Sequence, residues 1–169
     1  MGRSKRVAGL ALSLIAFVAL TQPRAFAAPQ NVRPDDGLYV NAHYDPTRNA
    51  SVDLGVALAR ARAGGKRVLL EIGGDWCAWC VMLDQYINAH RDVREAFLTS
   101  FVIVKVNVDA QHPNAAFLAS YPRIEGYPSL LILDGDGAFR EAQDPTALQN
   151  DDGYALTPMV AFAHRWAPR

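Results

Sequence analysis

The sequence predicts an α/β domain, a three-layer sandwich in which a parallel βαβ unit joins an antiparallel ββα unit around one central mixed sheet. Two observations carry this. Segments of helical periodicity alternate with short apolar runs rich in Val, Ile and Leu, the pattern of strands buried on both faces. The last two strand candidates flank Asp134-Gly135-Asp136-Gly137, a hairpin signal, and one more helical stretch follows them. A chain of 169 residues is long enough for one domain with a sizeable core.

The first segment is of another kind. Met1 to Arg6 holds Arg3, Lys5 and Arg6, Val7 to Leu20 carries no charge, and Ala25-Phe26-Ala27 is a small-x-small ending. This is the pattern of a cleavable signal peptide over 1–27, with an extension over 28–50 and the folded domain over 51–169. An uncleaved anchor is the competing reading. Fourteen helical residues span about 21 Å, however, short of the roughly 30 Å hydrocarbon core. No cysteine follows Ala27 to take a lipid, and no Arg-Arg pair marks twin-arginine export. The expected product is exported, periplasmic or secreted. Basic and acidic residues balance at seventeen each, but four of the basic ones lie in the leader, so the exported part carries −4. Such a balance gives no long-range attraction to nucleic acid.

The elements then follow in order. Leu38-Tyr39-Val40 is a short strand candidate in a segment rich in Pro, Asn and Asp. Ser51 to Ala63 is helical, with Leu54, Ala57, Leu58 and Ala61 on one stripe and Gly64-Gly65 as its stop. Arg67 to Ile72 is a buried strand interrupted by one carboxylate, Glu71. A helix from Cys77 to about Ala89 buries Cys80, Leu83 and Ile87; Asp92 then caps a second helix that buries Val93, Ala96 and Phe97. Phe101 to Val108 is the strongest strand signal in the chain, and Asn114 to Ser120 a short helix. Ser129 to Leu133 and Ala138 to Glu141 form the hairpin, and Asp144 to Gly153 is loop-like. Thr157 caps the last helix with Pro158 at its first position, and Met159, Phe162, Ala163 and Trp166 pack inward.

Cys77 and Cys80, two residues apart at a strand-to-helix junction, are the chemical centre. The first turn of a helix offers unpaired N–H groups and the positive end of the dipole, which favour a Cys77 thiolate over the thiol. Cys80 lies one turn on, on the same side and deeper, placed to attack a mixed disulfide formed at Cys77. The pair as a structural staple is the first alternative, but a four-residue ring contributes only about 2 kcal/mol in the loop-entropy picture. A metal site is the second; it needs two further ligands, and His43, His90, His112 and His164 are scattered.

Trp76-Cys77-Ala78-Trp79-Cys80 and Gly126-Tyr127-Pro128-Ser129 together resemble the thioredoxin superfamily over about Val52 to Trp166. That resemblance implies a thioredoxin-like sandwich, thiol–disulfide exchange by Cys77 and Cys80, and a cis Pro128 beside them. It also implies that Trp76, Ala78, Trp79, Tyr127 and Pro128 shape the groove for a substrate peptide. Glu71, six residues before Cys77, matches the superfamily's buried aspartate, and Lys105 the lysine near it. A buried carboxylate of raised pKa can accept the proton of Cys80, with Lys105 modulating it; a plain Glu71–Lys105 ion pair is the alternative. Ala78-Trp79 in place of Gly-Pro, and Val81 in place of a basic residue, depart from typical thioredoxins. The run Trp76 to Asp92 is more similar to exported bacterial thioredoxin-like proteins and to the thiol-reductase domain of thiol:disulfide interchange proteins. Reductase or interchange chemistry on protein clients is therefore the expected activity, with no cofactor beyond the dithiol, no metal, a membrane electron donor or acceptor among the candidate partners, and a monomeric chain. A non-enzymatic binding module of the same fold, its Cys77–Cys80 disulfide permanently closed, is the competing class.

Asp134 to Gly137 lacks the later ligands of a calcium loop and is read as a turn. Asn49-Ala50-Ser51 is a glycosylation sequon that coincides with a helix cap.

Overall fold

The structure, a computed structural model, describes residues 1–2 and 36–168. Apart from residues 1–2, the signal peptide expected over 1–27 and the first part of the extension lie outside the described residues. Five strands, β1 (Tyr39–Asn41), β2 (Arg67–Gly73), β3 (Phe101–Asn107), β4 (Ser129–Leu133) and β5 (Phe139–Gln143), make one sheet in the order β1-β3-β2-β4-β5. β3 runs parallel to both β1 and β2, whereas β4 is antiparallel to β2 and to β5. This is the mixed sheet that the sequence predicts.

Side-chain alternation divides the core into two layers. Val68, Leu70 and Ile72 of β2, Val102, Val104 and Val106 of β3, and Leu131 and Leu133 of β4 pack under α1 (Ala50–Gly64) and α4 (Ala115–Leu118). The alternate residues Leu69, Phe101, Ile103, Leu130 and Ile132 face α2 (Ala78–Ala89), α3 (Arg91–Ser100) and α5 (Leu156–Arg165). Glu71 and Lys105 continue this second set, and they are register partners across β2 and β3. Both are buried polar residues on the face that meets α2.

The helix ends follow local chemistry. Asn49 caps α1, its side-chain oxygen accepting from the N–H groups of Ser51 and Val52 at 3.0 and 3.1 Å. Gly65 closes the helix at φ 66°, a left-handed conformation in which a Cβ is strained. The stripes expected on α2 and α3 are the buried ones, with Arg94 and Ser100 added on α3. Three local expectations are corrected. His90, not Asp92, occupies the N-cap of α3, because α2 runs on to Ala89 and leaves one residue between the helices; Asp92 instead sits in the first turn. α5 opens at Leu156 behind Ala155 with no side-chain cap, so Thr157 lies inside the helix, one residue before Pro158. The stretch 144–153 is not simply a loop: Asp144 caps a 3-10 helix (Pro145–Leu148), and β6 (Gln149–Asn150) pairs antiparallel with β7 (Gly153–Tyr154). Two-residue strands made of polar residues and glycine carry no hydrophobic period to read.

Phe97 of α3, fully buried, meets Phe101 and Phe162 at ring centroids of 5.6 and 5.8 Å, joining α3, β3 and α5. Phe97→Ala is expected to cost about 3–5 kcal/mol in urea unfolding, the range for a buried aromatic that leaves a cavity.

Candidate active site

β2 ends at Gly73 directly under the cysteines. A Cβ there would lie 2.5 Å from Cys80 Sγ and 3.2 Å from Tyr44 Oη, so only glycine lets the strand pass this close. The chain turns through Gly74, with Cys77 N–H donating to Gly74 O at 3.0 Å, and enters α2. Cys77 is the N-cap of that helix rather than a member of its first turn; Ala78 is the first helical residue. Its Sγ accepts the N–H of Cys80 at 3.1 Å, a bond that stabilises sulfur most when it is a thiolate. The two cysteines form a disulfide, with Cα atoms 5.2 Å apart. Cys80 is wholly buried and Cys77 nearly so, at 7% exposure.

Beneath the disulfide lies a polar cluster in an otherwise apolar core. Glu71 is fully buried; its Oε1 accepts the hydroxyl of Tyr44 at 2.8 Å, and its Oε2 has no partner. Burial pushes its pKa up to about 6, against the opposing pull of Lys105 and of the Tyr44 hydrogen bond. The ammonium of Lys105 does not pair directly with Glu71. Its Nζ sits 2.8 Å from Asp84 Oδ1, two turns along α2 from Cys77 and on the same side. That oxygen also accepts the hydroxyl of Tyr39 at 3.0 Å, while the Lys105 ammonium lies 5.4 and 5.1 Å from the ring centroids of Tyr39 and Tyr44. The simple Glu71–Lys105 ion pair is thereby replaced by a five-residue cluster in which Lys105 acts on Glu71 through its field.

Three of those five side chains were not among the candidates read from the sequence. Asp84 had a legible signal, since it follows Cys77 and Cys80 at i+7 and i+4 on one helix face. Tyr39 and Tyr44 had none: they precede α1 and reach the site only because β1 pairs with β3.

Around the disulfide the surface is aromatic. Trp76 and Trp79 are exposed at 57% and 42%, and Ala78 between the cysteines is exposed as well. Trp76 Nε1 donates to Val108 O at 2.8 Å, and its ring meets Tyr127 edge-on at 5.1 Å. The Tyr127–Pro128 peptide bond is cis. Trp79 is held by Tyr154 of β7, edge-on at 5.9 Å, whose hydroxyl donates to Trp79 O at 3.3 Å. A cleft of about 840 Å³ runs from Trp79 past Tyr127 and Pro128 to Arg123, Gln143 and Thr146. Among the described residues no three His, Cys, Asp or Glu side chains converge as a metal site. Asp134 of the hairpin turn is engaged by Arg67 and Arg140.

A mixed sheet with helices on both faces, a Cys-x-x-Cys disulfide at the N-terminus of α2, and a cis-proline next to the Tyr127 that meets Trp76 define a thioredoxin-fold protein. The chain belongs to the thioredoxin-like family, whose model matches residues 48–135. It is 32% identical over 129 residues to the thiol:disulfide interchange protein DsbD of Klebsiella pneumoniae, and 33% identical over the same length to that of Salmonella paratyphi A. These alignments cover 76% of this chain, which spans only about a fifth of the length of the relatives (20% and 21%). Among solved structures, a disulphide isomerase from Xylella fastidiosa superposes with a TM-score of 0.62 at 24% identity, covering 72% of this chain and 94% of that one. The reduced C-terminal domain of Neisseria meningitidis DsbD does so with 0.52 at 17%, covering 76% and 98%. At these identities the structural likeness concerns the fold.

The raised pKa of Glu71 has a definite consequence for stability. The folded state holds this proton more tightly than the unfolded chain does. The associated stability is therefore fully present below the ordinary value of 4.5 and lost as pH rises through about 6. Between about pH 4 and pH 7.5 the wild type is expected to lose about 2 kcal/mol relative to Glu71→Gln. Urea unfolding of both proteins at each pH measures the difference.

Proposed function

We propose that this chain is an exported thiol–disulfide oxidoreductase that reduces or exchanges disulfides of client proteins. The observation that carries the reading is the asymmetry of the pair. Cys77 Sγ caps α2 and accepts the Cys80 N–H under an aromatic rim, whereas Cys80 is sealed beneath it, beside a buried carboxylate. In the reduced form the Cys77 thiolate attacks a client disulfide. One client sulfur leaves as thiolate and takes a proton from solvent, and the other stays bonded to Cys77. Cys80 gives up its proton and attacks Cys77, re-forming the Cys77–Cys80 bond and releasing the second client thiolate. Two electrons pass from the dithiol to the client, so no further cofactor is needed.

Trp76, Ala78, Trp79, Tyr127 and Pro128 form the docking surface, and the cleft beyond Trp79 extends it along the client chain. The lean toward reduction or interchange over oxidation is supported by the Glu71–Lys105 pair of strands beneath the cysteines and by the interchange activity named for the relatives. The dithiol must be restored after each turnover; on the same resemblance we assign that role to a membrane electron donor and take the working unit as a monomer. Among the described residues no helix is long and apolar enough to cross a membrane.

Dithiothreitol-driven reduction of insulin tests the activity. The wild type is expected to accelerate it and Cys77→Ser to abolish the acceleration; equal rates overturn the reading. The reduction potential gives a second measure, since a value well below about −300 mV marks a permanently closed structural disulfide and a binding module instead.

A further inference from the structure

Thiol–disulfide exchange leaves one question at this site: how a proton leaves Cys80, which has no contact with water. Three observations concern it. First, Tyr44 packs in a small buried cluster with Cys77 and Cys80. Its hydroxyl and Cys80 Sγ crowd the same bare Cα of Gly73. Second, that hydroxyl donates to Glu71 Oε1 at 2.8 Å, leaving Oε2 of a fully buried carboxylate unpartnered. Third, the other carboxylate of the cluster is occupied: Asp84 Oδ1 already receives both Lys105 and Tyr39.

We propose that Tyr44 is the relay between Cys80 and Glu71. As Cys80 turns to attack Cys77 in the mixed disulfide, its thiol proton passes to Tyr44 Oη while the Tyr44 hydroxyl proton passes to Glu71. Cys80 is left as thiolate, Glu71 becomes the neutral acid, and Tyr44 is unchanged. The new Cys77–Cys80 bond forms, the Cys77–client bond breaks, and the client thiolate leaves with the electron pair. Glu71 returns its proton along the same path when the pair is next reduced.

The environment suits a relay and excludes Tyr44 as a base in its own right. Burial and the neighbouring Glu71 raise its pKa far above that of free tyrosine, so it gives a proton only while taking one. The groups acting on Glu71 are Lys105 from β3, Asp84 from α2, and the hydroxyls of Tyr44, Tyr39 and Tyr154. With its pKa near 6, Glu71 is ionised and ready to accept at neutral pH. Tyr44 also lies outside the residues matched by the family model, 48–135. The segment before α1 thus contributes a working part and is more than a lead-in.

The inference rests on the exchange activity proposed above, and one experiment separates the two. The reduced full chain is mixed with 5,5′-dithiobis(2-nitrobenzoate) in stopped flow from pH 5.5 to 9. Attack by Cys77 releases one coloured thiolate, and resolution by Cys80 releases the second. In the wild type the second phase is expected to rise through about pH 6 and level off near neutrality. In Tyr44→Phe, which keeps the ring, the ratio of second-phase to first-phase rate at pH 7 is expected to fall at least tenfold. That variant's second phase should keep climbing toward pH 9, as hydroxide takes the Cys80 proton once the Cys77–Cys80 bond is open in the mixed disulfide. The double variant Tyr44→Phe/Glu71→Gln should be no slower in the second phase than the slower single one, because both act on one path. A wild type without a second phase overturns the exchange activity and the relay with it. An unchanged ratio in Tyr44→Phe, an equal loss in both phases, or multiplicative slowing in the double variant overturns the relay alone.

Discussion

The parallel pairing of β2 with β3 positions everything else. Seven consecutive residues from Arg67 to Gly73 match Phe101 to Asn107 without a slip. Because side chains alternate, that register puts Val68, Leu70 and Ile72 on one face, and Leu69 and Glu71 on the other. It sets Glu71 beside Lys105 under α2, and it delivers the chain at Gly73 to the spot where Cys80 needs an empty Cα. A slip of one residue would turn over the strand that moved and send its charged side chain, Glu71 or Lys105, under α1, into a layer of Ala, Val, Leu and Ile with nothing to satisfy it. The apolar packing and the chemistry of the site therefore select the same register.

A carboxylate and an ammonium in the core are costly, and the cluster shows how the cost is limited. Lys105 has Asp84 2.8 Å away and two aromatic faces flanking it. Glu71 is treated differently. It has one hydrogen bond and one bare oxygen, and its pKa rises into the range where it exchanges a proton near neutrality. The two acids of this helix–sheet interface thus differ: Asp84 holds the ammonium, and Glu71 keeps a bare oxygen and a raised pKa.

The aromatic rim is built by the same economy. Trp76 and Trp79 stay exposed but are not loose. One is tied to Val108 O and Tyr127, the other to Tyr154 on the small β6–β7 hairpin. Rigid aromatic faces offer contact area at low entropic cost. The cleft beyond Trp79 continues that surface toward β5 and the 3-10 helix.

The sequence alone determined whatever depends on neighbours within about ten residues. The helical stripes of α1 to α3, the apolar strands β2, β3 and β4, the hairpin turn and the Cys77–Cys80 pair at a helix start were all readable, because period and spacing are local properties. Glu71 and Lys105 stood out as charges inside apolar runs, which marked them as buried without showing what they touch. Tertiary structure decided the partners. It gave Lys105 to Asp84 instead of Glu71, brought Tyr39 and Tyr44 from the segment before α1 through the β1–β3 pairing, and set Tyr154 against Trp79. It also set the cap of α3 at His90 and that of α5 at Ala155, where packing between elements fixes the helix start without a side-chain cap. Hydrogen bonds between residues 27 to 75 positions apart leave no periodic trace in the chain, so sheet register and helix docking alone bring them together.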